Sequence, residues 1–408
     1  MRKISVFVLL LLFAFACSEE EDNAINDTGT DVLVGDVGET GDSGDVGETG
    51  DSGDVGETGD SGEVGETGDS GGKKEEDYAF IVNAAPDYKS ATYSVMKVSD
   101  KSVSKDKGAD IIHTDAVVRT YNGLIYVVNR FGADNITILD PKNNFSIVKQ
   151  FSVGAGSNPQ DIVVLNDKIF ITKMNSNEVD IYNSSDYSKS GGIDLSKYAD
   201  SDNIAEPQDM ILYKDKLYIT VLRLDQNNYF SPTDKSYLLV VDPSGVKVQK
   251  EIELGKPNPA GGIFLDEENN RIIIAETGSF GATDGRVELL DINSDAITQQ
   301  VIPESEWGGD LNKIVYAKNR IFAVISDANF NTSLKSYSFE SAKIETVYST
   351  TGFSISGISL YNNLELYLCD RTVEKPGLRV FDIEDLTQKT TDPIDTGLPP
   401  VSLVFFRM

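Results

Sequence analysis

The feature that most constrains this chain is a motif that returns seven times at nearly even intervals. A polar or glycine residue followed by a short apolar run occurs as Asp115-Ala-Val-Val, Asp161-Ile-Val-Val, Asp209-Met-Ile-Leu, Gly262-Ile-Phe-Leu, Asn312-Lys-Ile-Val, Gly357-Ile-Ser-Leu and Ser402-Leu-Val-Phe, at spacings of 45 to 53 residues. The first six are each followed by a turn and a second run, centred on Tyr126, Phe170, Tyr218, Ile273, Phe322 and Tyr367. A third run often ends in aspartate, as at Asp140, Asp242, Asp291 and Asp382. The runs are short, rich in Ile, Val, Tyr and Phe, and bounded by Asn, Asp, Gly and Pro, a pattern of strands rather than helices.

Four-stranded units of about 47 residues, each too small to bury both of its faces alone, stack radially in a β-propeller. The ends of the module complete the count. The seventh first strand, Val401 to Phe406, has no successor before Met408, while the module opens on an orphan second strand, Tyr78 to Asn83, and a third, Thr92 to Val98. Pairing head with tail makes one further unit and leaves no free sheet edge. The expected fold is therefore all-β: a seven-bladed, monomeric propeller over residues 78–408, closed by its N- and C-terminal strands.

The N-terminal part reads differently. Arg2-Lys3 precede an apolar run from Ile4 to Phe15, too short for a comfortable bilayer span, closed by Ala16: the layout of a signal peptide over residues 1–16. Residues 17–77 then form a low-complexity tether. The nonapeptide Asp-Val-Gly-Glu-Thr-Gly-Asp-Ser-Gly starts at Asp36, Asp45 and Asp54, with a fourth copy from Glu63, and Gly fills every third position from Gly35 to Gly71. That period is collagen-like, but the run has no proline, and each triplet carries a carboxylate that would stack in register with its copies. A solvated, disordered chain is expected instead, with weak calcium association as an alternative.

Charge is divided unevenly. The whole chain carries −30, of which residues 18–77 hold −19 and residues 78–408 hold −13. Nucleic acid is excluded as a general partner, because phosphate affinity needs a basic face. One His and two distant Cys exclude His-rich metal centres and a disulfide framework.

Two resemblances sharpen the reading. The block Ala14-Phe15-Ala16-Cys17 resembles the lipobox of bacterial lipoproteins, with Ala14 where the family usually has Leu. It implies acylation of Cys17 (palmitate among the expected chains) and a cell-envelope protein anchored in a membrane by lipid, at the outer membrane or cell surface. Tyr126-Val-Val-Asn129, then Asn135-Ile-Thr-Ile-Leu-Asp140 and Asn158-Pro-Gln-Asp-Ile-Val-Val164, resemble the YVTN repeat of seven-bladed bacterial propellers, and Phe170-Ile-Thr-Lys173 and Tyr218-Ile-Thr-Val221 repeat it with the Asn replaced. The resemblance implies the fold; it does not fix the function, since one scaffold hosts many.

Candidate ligand residues follow from aligning the second strands. Their ends place Asn83, Asn129, Lys173, Glu276 and Asp370 in one register, with Arg130 and Arg371 one residue later, and the pre-strand register brings Asp115, Asp161 and Asp209 from neighbouring units. Asn83, Asn129, Arg130, Lys173 and Arg371 are candidates for ligand binding. Asp115, Asp161, Asp209, Glu276 and Asp370 are candidates for a divalent cation such as calcium, which takes carboxylate and carbonyl oxygens. The same short polar side chains also cap turns and bond neighbouring loops. No catalytic residue is assigned: His113 has no nucleophile motif beside it, and Cys369 and Trp307 read as packed side chains. The reading is a binding module for a protein or a glycan. Related propellers include lactone hydrolases, so a metal-dependent lactonase-like enzyme working at the channel mouth is the alternative.

Overall fold

The computed structural model describes residues 75–408; the leader, Cys17 and the Gly-rich repeats lie outside the described residues. The described chain is a seven-bladed β-propeller. Innermost strand first, blade 1 joins Pro400–Arg407 to Asp77–Ala84, Ala91–Lys97 and Val103–Lys107. Blade 2 runs Ala116–Tyr121, Leu124–Asn129, Asn135–Asp140, Ser146–Ser152, and blade 3 runs Pro159–Leu165, Lys168–Lys173, Glu178–Asn183, Lys189–Asp194. Blade 4 runs Pro207–Tyr213, Lys216–Val221, Tyr237–Asp242, Lys247–Glu253, and blade 5 runs Gly262–Asp266, Arg271–Glu276, Arg286–Asp291, Ala296–Pro303. Blade 6 runs Asp310–Ala317, Arg320–Ser326, Thr332–Ser338, Lys343–Ser349. Blade 7 has three strands, Ile355–Tyr361, Glu365–Asp370 and Gly377–Asp382; in place of a fourth, the segment after Asp382 runs beside the third strand through the isolated bridges Leu378↔Ile394 and Phe381↔Gln388 and the Lys389 amide on the Val380 carbonyl.

The ring closes as the terminal strands predict. Pro400–Arg407 pairs antiparallel with Asp77–Ala84, Phe405 opposite Ala79 and Val404 opposite Phe80. Glu76 and Met408 exchange both backbone hydrogen bonds beyond the last strand pair, at 2.9 and 3.1 Å. Closure removes the two edges that an open ring would present for aggregation.

The core is not one mass but seven, one between each pair of neighbouring blades. Blades 3 and 4 share Phe170, Ile181, Leu217 and Leu239; blades 5 and 6 share Ile273, Leu289, Trp307 and Tyr337. The contact between blades 7 and 1 is built from Ala79, Ile81, Met96, Tyr367, Cys369, Leu378, Val380 and Leu403. Each blade is thus covered on both faces, and so second strands such as Ile125-Tyr-Val-Val128 are apolar at every position rather than alternating. Outermost strands have a wet face and edge; Ser146–Ser152 is exposed at nearly every residue. Gly357 permits the closing seam to be tight, since a Cβ there would lie 2.7 Å from the Val401 carbonyl oxygen.

Connections divide the propeller into two unlike faces. On one, first and second strands are joined by two-residue turns such as Asn122-Gly123, Asn166-Asp167 and Lys318-Asn319, short polar links that favour the left-handed backbone seen at the Asn positions. On the other, the connections between second and third strands and those into each first strand are longer, reaching from Leu222 to Ser236 in blade 4. The chain joins the propeller at Asp77 on the turn face, opposite these loops. No helix among the described residues is long and apolar enough to cross a membrane.

Candidate functional site

The second-strand register does recur in space, but its side chains turn sideways into their own blade. Asn83 donates to Ser94 Oγ at 2.9 Å, and Asn129 to Asn135 Oδ1 at 2.9 Å and to Thr137 Oγ1 at 3.2 Å. Lys173 Nζ lies 2.7 Å from Asp180, Arg286 Nε lies 3.0 Å from Glu276, and Arg379 Nε lies 2.5 Å from Asp370. Each of these partners sits on the third strand; Asn129 also bonds the segment entering blade 2, through Ile111 and His113, and Asp370 also accepts from Tyr348 of blade 6. Two β-strands paired antiparallel place same-face side chains within reach of each other, so a polar residue at this register is satisfied by its neighbour before it reaches solvent. Asn83, Asn129, Lys173, Glu276 and Asp370 are all buried.

The two candidate arginines stitch blades together. Arg130 pairs with Asp115 through Nε at 2.9 Å and through Nη2, and donates to Gln160 of blade 3 at 3.2 Å. Arg371 of blade 7 donates to the carbonyls of Ala84 at 3.2 Å and Pro399 at 3.1 Å, and stacks over Tyr88. It fastens the closing seam at the loop face. The five carboxylates considered for a cation are dispersed: Asp115 meets Arg130, Asp161 meets Arg119, Glu276 meets Arg286, Asp370 meets Arg379, and Asp209 stands apart from the others except Asp161. Among the described residues no group of three or more His, Cys, Asp or Glu is arranged to hold a metal ion. The physical reason is local neutralisation: each of these arginines already supplies the charge a cation would.

Glu276 has an unusual environment. It and Glu288 are both fully buried and share the single guanidinium of Arg286, while Glu276 Oε1 has no hydrogen-bond partner. Burial, then the charge of Glu288, push the Glu276 carboxyl up to about 10. A single guanidinium thus faces two buried carboxyls, which favours the protonated form of Glu276. His113, Cys369 and Trp307 are structural: His113 Nδ1 accepts from the Asp115 amide at 3.2 Å, burial pushes the Cys369 thiol up to about 12, and Trp307 is fully buried between blades 5 and 6.

Among the described residues, two surfaces stand out as able to meet a ligand. The first is the central channel, where the innermost strands bring Arg119, Asp161, Asp209 and Lys313 from four different blades around one pocket. Arg119 and Lys313 were not candidates from sequence. The available signal was a basic residue interrupting an apolar innermost strand, in Ala-Val-Val-Arg119 and Leu-Asn-Lys313-Ile.

The second surface is the loop face. All seven loops between second and third strands carry a large apolar side chain: Tyr88, Phe131, Met174, Tyr229, Phe280, Phe330 and Val373. Tyr229, Phe280 and Val373 are 66%, 38% and 86% exposed. Buried carboxylates hold these loops in place. Asp134 accepts from the Gly156 and Asn158 amides at 2.7 and 2.8 Å, tying the blade 2 loop to the segment entering blade 3. Glu304 accepts from Gly285 and Leu311 at 2.9 and 2.8 Å, and Glu206 accepts from Leu224 and from Gln226 Nε2. Loops fixed in this way lose little entropy on meeting a partner.

No family model and no curated protein matches the chain. Solved structures do. A protein of Bacteroides uniformis, provisionally named a 6-phosphogluconolactonase, superposes with a TM-score of 0.59 at 11% identity, over 81% of this chain and 99% of its own. One of Bacteroides fragilis under the same provisional name gives 0.56 at 11%, over 84% and 99%. Hydrazine synthase of Kuenenia stuttgartiensis gives 0.54 at 13%, over 70% and 87%. At such identities the likeness is one of fold, and the fold is the β-propeller that the repeats predicted.

Proposed function

We propose that this chain is a lipid-anchored protein of the cell envelope whose propeller is a binding module, engaging a protein or a glycan through its loop face. One observation carries the reading: an apolar side chain recurs in the same loop of all seven blades, on one face, above loops fastened by buried carboxylates. Apolar side chains ringed by polar loop residues are the composition of a recognition surface.

The test uses residues 75–408, wild type and with Phe280→Asp and Val373→Asp together, on a glycan array and in overlays of fractionated envelope proteins. Binding by the wild type that the double substitution abolishes, with the far-UV circular dichroism unchanged, supports the reading. Equal binding by both proteins refutes it. The anchor is tested separately: Cys17→Ser should move the protein out of the membrane fraction, and a variant that still sediments with membranes would overturn lipidation.

A lactonase-like hydrolase is the second reading, favoured by the two provisionally named lactonases above and by the Glu276 carboxyl, which burial pushes up to about 10. It requires lactone hydrolysis that is lost in Glu276→Gln. No turnover in the wild type would retire it.

A further inference from the structure

We propose that the pocket in the central channel binds a small zwitterion, an α-amino acid with a short apolar side chain. The pocket holds about 70 Å³ and is lined by Arg119, Asp161, Asp209 and Lys313, with Met210, Ile263 and Ile314 as its apolar wall. Its four charges are not all matched to each other. Asp161 is saturated: it meets Arg119 at 2.9 Å, and accepts from the Ile162 and Met210 amides at 2.9 and 3.1 Å. Asp209 and Lys313 are different. Among the described residues, the Asp209 carboxylate has no hydrogen-bond or ion-pair partner, the Lys313 ammonium has none, and the two do not come within the 4.0 Å of an ion pair.

One acid and one base that face the same cavity without touching leave a site with a negative end and a positive end. A free amino acid carries the complementary pair at fixed separation, its ammonium for Asp209 and its carboxylate for Lys313. Neither an anion nor a cation alone meets both ends: Asp209 is half-buried and Lys313 is open to solvent in the channel, so each end is within reach of a ligand. The apolar wall takes the side chain, and the volume, room for a few water molecules, limits that side chain to a short one. Gly262 helps to keep the cavity open: its backbone has a φ of +93°, and a Cβ there would stand 3.3 Å from Asp209 Oδ2.

The electrostatics agree with this geometry. Desolvation by the surrounding strands, then the charge of Asp161, raise the Asp209 carboxyl; desolvation, then the charge of Arg119, lower the Lys313 amine; Asp209 and Lys313 offset each other only in part. The inference is independent of the loop-face reading, since it uses the innermost strands only.

Isothermal titration of the full chain tests it, with L-alanine set against sodium acetate, methylammonium chloride, sodium phosphate and L-tryptophan. Saturable binding of L-alanine at one site, with acetate and methylammonium each at least about tenfold weaker and tryptophan excluded, is the expected result. Asp209→Asn and Lys313→Met should each weaken alanine by about tenfold or more. Acetate or phosphate binding as tightly as alanine would make this an anion site and overturn the proposal, and no saturable heat with alanine would do the same. The panel of fragments needs no variant, so the test stands even where a substitution prevents folding.

Discussion

Replacing Phe405 by alanine probes the closure on which the whole ring depends. Phe405 lies on the last strand, opposite Ala79, and packs against two rings of blade 7, with centroid distances of 5.0 Å to Tyr361 and 5.0 Å to Tyr367. A fully buried Phe→Ala change costs about 3–5 kcal/mol. Phe405 is half-buried, which reduces that term to about 2 kcal/mol, and each aromatic pair adds about 0.5–1.5 kcal/mol. The expected loss is about 3–5 kcal/mol, a large share of the 5–15 kcal/mol by which domains are usually stable. Phe280→Ala supplies the control: the same chemistry on a loop, 38% exposed and away from the seam, with an expected change within about 0.5 kcal/mol. Urea unfolding of residues 75–408 measures both, because in a chain of this size a melting temperature moves only a few degrees per kcal/mol. Equal midpoints for the two variants would refute the claim that the terminal strand holds the ring shut.

Gly357→Ala should weaken the same seam, because the new methyl meets a backbone oxygen at 2.7 Å that cannot swing away; wild-type stability in urea would contradict that close approach. Trp307→Ala, at a fully buried side chain between blades 5 and 6, should cost about 3–5 kcal/mol by the same measurement. The Glu276 carboxyl predicts a pH dependence with a definite sign. Between the ordinary value of 4.5 and about 10 the folded chain keeps a proton that the unfolded chain has released, so this group lowers stability progressively as pH rises through that window. Glu276→Gln, neutral at every pH, should flatten that part of the slope when urea midpoints are compared at several pH values; an unchanged slope would show that the carboxyl is not protonated in the folded state.

The architecture was written plainly in the sequence. Second strands covered on both faces must be apolar along their middle, so Ile125-Tyr-Val-Val128 and its counterparts announce themselves, and an incomplete unit at each end implies that the ends pair. The register of polar residues at the second-strand ends was also legible, and it recurs in the structure. Its direction was not. Whether Lys173 faces the channel mouth or Asp180 depends on which cross-strand neighbour stands opposite, and periodicity does not carry that information.

The channel lay further from view. Arg119 and Asp161 are 42 positions apart, and Asp209 and Lys313 are separated by 104. Local sequence determines which segments become strands and how many blades they make, because burial on both faces and turn chemistry act over a few residues. Only the closed ring determines which charges meet, because it is the ring that carries innermost strands of four blades to one axis and leaves an acid and a base there without each other.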